Sequence, residues 1–265
     1  MINLFDELNQ LVQFIKLNRK DMKFLYVLIF MTFAANSQNN SVKINYEAMI
    51  KDQVYNDVRN SNSVNEFLQK TLVESQDIIK NIQFELIGDN SIYYLFYREP
   101  MISDSQIFYS ITGAISGVFD GNCIYADLST KKSILGGFDV GVKIDRELSM
   151  EDLEWKLFNE SKIILGKICY KAIGNLKSKD SAHAAHYPIT AWYCPEINFQ
   201  CGPTPFATLP GAIMQLENDK SLITAVSYKL GNFKVKKYKS SNRLMKYSDF
   251  VKFMKEWSEE NMKKN

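Results

Sequence analysis

The chain is patterned mainly for β-strands, because apolar and polar residues alternate along much of its length. In residues 42–50, polar side chains separate the apolar Val42, Ile44, Tyr46 and Ala48. Such alternation predicts a strand with one buried face. The same pattern predicts further strands at 84–87, 92–97, 123–128, 132–138, 155–157, 163–173, 188–193, 212–216, 222–228 and 233–238.

Two segments carry helical spacing instead. Apolar residues between 64 and 82 fit a helix better than a strand, and a second helix is predicted after a cap at Ser248. Its shared apolar face would consist of Phe250, Phe253, Met254 and Trp257. No repeat or linker divides residues 38–265, so they are predicted to form a single domain. We expect a mainly β fold, with a curved, half-barrel-like antiparallel sheet and one or two covering helices.

The N-terminal residues are predicted to be an export signal. A run of mostly apolar residues at 24–35 follows three basic residues and ends in small side chains. We predict a signal peptide over residues 1–37, cleaved near Ser37/Gln38. Met22 is the better start, which makes residues 1–21 a mis-assigned upstream extension. The alternative is an N-terminal helix of the domain.

Composition narrows the function classes. The 265 residues hold 32 Lys+Arg against 30 Asp+Glu, a net charge of +2. Nucleic-acid binders usually show a clear basic excess, so we expect no nucleic-acid partner. No second apolar run is long enough to span a bilayer, so no transmembrane segment is expected in the mature chain. We expect a secreted protein that is periplasmic or associated with the outer membrane.

Export would place all four cysteines in a compartment that permits disulfides. Four cysteines allow three pairings. Short spacing favours a bridge between Cys194 and Cys201, which leaves Cys123 with Cys169. The alternative is that one or more are small buried thiols. No C-x-x-C pair is present, so the spacing indicates neither a zinc ribbon nor a thioredoxin-like site.

Residues 192–216 carry the most distinctive pattern. Prolines and glycines crowd together at Gly202, Pro203, Pro205, Pro210 and Gly211. Each proline fixes φ and removes a backbone donor, so the segment is predicted to be a rigid loop. Residues 209–212 fit a type II turn, in which proline sets the first central position and glycine supplies a positive φ at the second.

These residues resemble the GLPGLI family, exported proteins of Bacteroidota named after that hexapeptide. The hexapeptide stands here as residues 208–213, with the sequence TLPGAI. Matching motifs precede it in the family's order at 155–157, 164–172, 191–193 and 202–206. The sequence departs from the pattern at Thr208, at Ala212-Ile213 and at Lys167-Ile168.

The resemblance implies little about activity, because the family has no established reaction. Its members are often associated with outer-membrane and TonB-linked functions, so an outer-membrane or other envelope protein is one expected partner. We expect the matching loop residues to be a structural motif, namely Gly202, Pro203, Leu209, Pro210 and Gly211.

The leading hypothesis is a non-enzymatic binding or accessory module of the periplasm or cell envelope, with no cofactor. It would hold a protein partner or an apolar ligand in the concavity of the sheet. The residues expected at the mouth of that concavity are Trp192, Phe199, Phe206 and Leu209. The alternative is a metal-binding protein or hydrolase-type enzyme that uses His183 and His186, since imidazoles three apart can share a metal on a helix. A solvated loop between two strands is the plainer explanation of the two histidines.

A basic stripe lies between residues 234 and 246. Lys234 and Lys236 alternate with Phe233 and Val235, which predicts the solvent face of an edge strand. The other interpretation is a surface for an anionic partner such as lipid headgroups.

Overall fold

Twelve strands form one sheet in the part of the chain that the structure describes. The computed structural model describes residues 40–51, 78–97, 118, 121–139, 143–177, 187–240 and 242–262. The strands are β1 (Ser41–Ile50), β2 (Phe84–Asp89), β3 (Ile92–Tyr97), β4 (Cys123–Asp127), β5 (Lys132–Asp139), β6 (Lys143–Ser149), β7 (Leu153–Ile164), β8 (Lys167–Leu176), β9 (Ile189–Cys194), β10 (Ala212–Glu217), β11 (Ser221–Gly231) and β12 (Arg243–Lys246). A 3-10 helix spans Met150–Asp152, and helix α1 spans Tyr247–Met262. Residues Asn40–Asn265 form one compact unit, and the predicted signal peptide at 1–37 lies outside the described residues.

The strand order across the sheet is β12-β6-β5-β4-β3-β2-β1-β11-β10-β9-β8-β7. All neighbouring strands are antiparallel except β12 and β6, which run parallel. β6 lies next to one edge and β7 forms the other, yet only the three residues of the 3-10 helix join them. The sheet therefore stays open but curves enough to bring the end of β6 close to the start of β7, which confirms the predicted curved, half-barrel-like antiparallel sheet.

The core lies on the inner face of this curved sheet. Alternate residues of β1 point inward, and Val42, Ile44 and Tyr46 are completely buried. Tyr93 and Leu95 on β3 belong to the same core cluster. Burial of one face only is what produces the period-two pattern of the sequence.

Helix α1 covers the sheet near β6. Phe250 is buried, and the guanidinium of Arg146 lies 5.0 Å from the centre of its ring, a cation–π contact that attaches the helix to β6. The predicted apolar face is therefore used at Phe250, whereas Trp257 is exposed. The helix begins at Tyr247, so Ser248 lies inside its first turn. Of the other predicted helix, residues 78–81 are helical and 64–77 lie outside the described residues.

The strand predictions differ from the structure in three ways. The predicted strand at 163–173 is interrupted by a hairpin turn, in which Leu165 and Gly166 adopt positive φ values of 50° and 74°. β6 and β12 were not predicted, because β6 is largely charged and β12 has only four residues, two of them basic. Residues 233–238 were predicted as a strand but pair with no described strand. Their Tyr238 ring instead stacks on Tyr125, with ring centres 6.1 Å apart.

Candidate functional site

The Pro/Gly loop, residues 195–211 between β9 and β10, is anchored by buried side chains. The hydroxyl of Tyr93 donates to the carbonyl of Thr204 at 2.6 Å and accepts from the amide of Ala207 at 3.4 Å. The hydroxyl of Tyr46 donates to the carbonyl of Ile213 at 2.7 Å. Burial is the main cause of the strongly raised pKa of both tyrosines, so each stays a neutral donor.

Trp155 holds the same loop from β7. Its indole nitrogen donates to the carbonyl of Phe206 at 3.0 Å. Anchors from β3 and β7 therefore meet on the loop, and the anchor from β1 holds the start of β10 directly after it. These bonds satisfy backbone polar groups that burial would otherwise leave without a partner.

Two glycines of the motif are required by close contacts. A Cβ placed on Gly202 would lie 2.7 Å from the Cβ of Ile213, which is closer than real Cβ contacts come. Gly211 has a φ of 141°, which favours glycine. The type II turn predicted for 209–212 does not form as such, because the amide of Ala212 donates to Ile197 and the Gly211 amide donates to Leu209.

A cleft of about 860 Å³ lies between α1 and the junction where β6 passes into β7. Its apolar walls come from Leu148 on β6, Leu176 on β8, Phe206 of the Pro/Gly loop and Val251 on α1. The short connection from β6 to β7 brings both sides of the curved sheet to this cleft. The volume falls in the range of small-molecule sites, about 300–1,000 Å³.

The charged rim of this cleft is mainly basic. Five lysines and three carboxylates line it, namely Lys131, Lys132, Lys177, Lys246, Lys252, Glu147, Glu151 and Asp152. Lys131 pairs with Glu151 at 2.6 Å, and Lys132 pairs with Glu147 at 3.0 Å. The Lys131–Glu151 hydrogen bond is the main cause of the raised pKa of the lysine and the lowered pKa of the carboxyl.

The remaining three lysines of the rim are Lys177, Lys246 and Lys252. Within the described ranges, none of them has an ion pair with a carboxylate. They extend from three different elements, the end of β8, the end of β12 and the second turn of α1. The cleft therefore combines an apolar interior with ammonium groups that are available to an anion.

The four residues predicted at the mouth are not brought together. Phe199, Phe206 and Leu209 are buried in the core. Phe206 nevertheless forms part of the cleft wall, and Leu209 lines a smaller cavity of about 450 Å³ beside it. Trp192 lies on the outer face of the sheet, where the Lys162 ammonium is 4.2 Å from its ring centre.

All four cysteines are free thiols in the structure, so the predicted Cys194–Cys201 bridge is not present. Strand alternation explains why. Tyr193 faces the core, so Cys194, the next residue, points to the outer face. Cys201 lies on the inner side, where its proximity contributes to the raised pKa of Tyr46.

The two histidines, His183 and His186, lie outside the described residues, so the metal or hydrolase alternative stays a prediction. Within the described ranges, no three or more His, Cys, Asp or Glu side chains gather as a metal site would require. Among the described helices, none has the length and apolarity needed to cross a bilayer.

The rim lysines were the main omission of the sequence analysis. Lys246 closes the basic stripe that the sequence shows, but Lys177 and Lys252 give no separate signal. The short connection between β6 and β7 is the feature that could have indicated their proximity, because it joins strands from opposite sides of the sheet.

Comparison with known proteins finds similarity to solved structures at low sequence identity. No family model and no curated protein matches the chain. Two crystal forms of PNGF-II match at 13% identity, with TM-scores of 0.44 and 0.46. The matches cover 80% of this chain but 32% and 33% of those chains, so this chain spans about a third of their length. A LolA superfamily protein from Nitrosomonas europaea matches with a TM-score of 0.28 at 9% identity, over 74% of this chain and 89% of that one. At TM-scores below 0.5, these matches assign no function.

Proposed function

We propose that this protein is an exported, non-enzymatic binding module that holds an amphipathic anion in the cleft beneath α1. The ligand has an aliphatic body and an acidic head, as a long-chain fatty acid does. The observation that carries the proposal is one cleft with apolar walls and three rim lysines that form no ion pair among the described residues. Lys177 is near enough to Glu151 to help lower the pKa of that carboxyl, whereas Lys246 and Lys252 are the lysines that the test removes.

The walls suit the aliphatic body of such a ligand. Four segments of the chain contribute apolar surface to it, through Leu148, Leu176, Phe206 and Val251. Removing an aliphatic chain from water contributes about 0.8 kcal/mol for each buried CH₂ group. The cleft is large enough for a chain of this kind, and Phe206 is fixed in place because the Trp155 indole holds its carbonyl.

The rim suits the acidic head. Lys246 and Lys252 lie at the junction of β12 with α1, and Lys177 approaches from β8. An anion between them makes charge-assisted hydrogen bonds, which are stronger than neutral ones. Export follows from the predicted signal peptide at 1–37, and a protein partner in the envelope remains a prediction from the resemblance.

The test is titration of the full-length protein with hexadecanoate below its critical micelle concentration. We expect binding by isothermal titration calorimetry, and about tenfold weaker binding for the double variant Lys246→Gln/Lys252→Gln. The matched control is Lys234→Gln/Lys236→Gln, which removes the same charge from exposed positions outside the cleft. We expect its affinity to equal that of the wild type.

Two results would contradict the proposal. If the wild type does not bind hexadecanoate, the ligand is not an amphipathic anion of this class. Equal binding of hexadecanoate and neutral hexadecanol would show that the lysines do not recognise the head. Higher salt should also weaken hexadecanoate binding, because the rim is exposed to counterions.

A further inference from the structure

Cys169 and Cys194 face each other on neighbouring strands. β8 and β9 are antiparallel, and Tyr170 is the register partner of Tyr193. One step further along this register, Cys169 lies opposite Cys194. Because side chains alternate across a strand, both thiols point to the outer face, away from the two tyrosine rings.

The separation expected for this pair suits a disulfide. Directly opposed residues of antiparallel strands have Cα atoms about 4.5–5.5 Å apart. Disulfides usually join Cα atoms about 4.4–6.8 Å apart. The two thiols are also in hydrogen-bond contact, and both residues are completely buried.

The other two cysteines are badly placed for either member of this pair. Cys201 lies on the inner face beside Tyr46 and Tyr93. Register across β10 and β11 puts Tyr46 on the same face as Tyr193, hence opposite to Cys194. Cys123 lies on β4, which is separated from β9 by β3, β2, β1, β11 and β10.

We propose that Cys169 and Cys194 form a disulfide that ties β8 to β9, directly before the Pro/Gly loop. The pairing differs from both bridges that spacing suggested, Cys194–Cys201 and Cys123–Cys169. It closes a short stretch of chain between two paired strands and fixes their register. The proposal does not depend on the ligand of the cleft.

The chemistry needs an oxidant, which we take to be a small disulfide such as oxidised glutathione. One cysteine thiolate attacks the glutathione disulfide and releases one glutathione thiolate. The second cysteine thiolate then attacks the mixed disulfide and releases the other glutathione. Two protein thiols are oxidised, one disulfide is reduced to two thiols, and two protons pass to solvent or to the released thiolates.

The native environment makes this bond a product of folding. Burial is the main cause that raises the pKa of the Cys169 thiol to about 12, and the neighbouring Cys194 contributes further. A thiol with so high a pKa is a poor nucleophile at neutral pH. The bond should therefore form while the strands assemble, and the folded reduced protein should oxidise slowly.

The experiment is to unfold the full-length protein in urea with reductant, then refold it in a mixture of reduced and oxidised glutathione. Free thiols are alkylated, and the protein is digested without reduction for mass spectrometry. We expect two alkylated cysteines, Cys123 and Cys201, and one cross-linked peptide pair containing Cys169 and Cys194. We also expect a Tm about 6–12 °C above that of protein refolded with reductant.

Variants provide the matched controls. Cys201→Ala and Cys123→Ala should keep the cross-link and the Tm difference, whereas Cys169→Ala/Cys194→Ala should lose both. Four alkylated cysteines in the refolded wild type would overturn the proposal, as would a cross-link between Cys194 and Cys201. The wild-type peptide map decides the matter even if a variant fails to fold.

Discussion

The hydroxyl of Tyr93 offers the sharpest test of how the Pro/Gly loop is held. Tyr93→Phe removes one oxygen atom and leaves the ring in the core, where Tyr93 is completely buried. The lost hydroxyl donates to Thr204 at 2.6 Å and accepts from Ala207 at 3.4 Å. The substitution therefore leaves a carbonyl and an amide of the loop without this partner.

The expected cost follows from those two contacts. A buried polar group that loses its partner costs about 1–3 kcal/mol. The loss of the short bond to Thr204 should cost an amount anywhere in this range. The bond to Ala207 is longer, so its loss should cost an amount at the lower end of the range. We expect Tyr93→Phe to lower the free energy of unfolding by about 2–4 kcal/mol. At about 2–4 °C per kcal/mol, that corresponds to a large fall in Tm for a domain of this size.

Urea unfolding measures this loss, with Tyr125→Phe as the matched control. Tyr125 is half-buried and stacks on Tyr238, and no hydrogen bond joins its hydroxyl to another described residue. The control should stay within about 0.5 kcal/mol of the wild type. Hydrogen exchange of the Ala207 amide should also become faster in Tyr93→Phe. Equal stabilities of the two variants would refute the idea that this hydroxyl holds the loop.

Two further predictions concern stability. Gly202→Ala should cost about 1–3 kcal/mol in urea unfolding, because its Cβ would overlap Ile213, whereas Gly166→Ala should cost about 1–2 kcal/mol through its positive φ alone; an unchanged Gly202→Ala would contradict the contact. Burial raises the pKa of Tyr46, Tyr93 and Cys201, so the unfolded chain loses these protons first. Their contribution to the free energy of unfolding should be fully present below the pKa values of the unfolded chain, about 8.5–10. Above those values the free energy of unfolding should fall by up to about 1.4 kcal/mol per pH unit for each group. A flat profile of unfolding free energy from about pH 8 to 11 would contradict this.

Much of the strand pattern could be predicted because one face of the sheet is buried. β1, β2 and β3 follow the alternation of the sequence closely. β6 escaped prediction because its buried residues include Asp145 and Arg146. Their partners come from distant positions, such as the Tyr238 hydroxyl, which donates to Asp145 at 2.9 Å. The sequence around β6 gives no information about a partner that lies so far away along the chain.

The segment 233–238 shows a different limit. Its alternation correctly indicates one covered side, because Phe233 and Val235 are half-buried and the lysines between them are exposed, but the predicted strand does not form. Alternation does not reveal whether a neighbouring strand is present to pair with it, and here the cover is the aromatic contact of Tyr238 with Tyr125. The cleft could not be predicted for a similar reason, because Lys177 and Lys252 line one cleft only as a result of how the curved sheet and α1 are arranged in space.

The placement of the Pro/Gly loop separates its role from that of the rim lysines. Phe206 contributes to the wall of the cleft, and its carbonyl, like those of Thr204 and Ile213, is fixed by a side-chain donor. Substitutions at these anchors should therefore change unfolding free energy first. Lys246 and Lys252 have exposed side chains and add little to the core, so their substitution should change anion affinity with little change in stability. The shape of the cleft wall and the proposed recognition of an anion thus rest on different residues, and the two sets of variants can be measured independently.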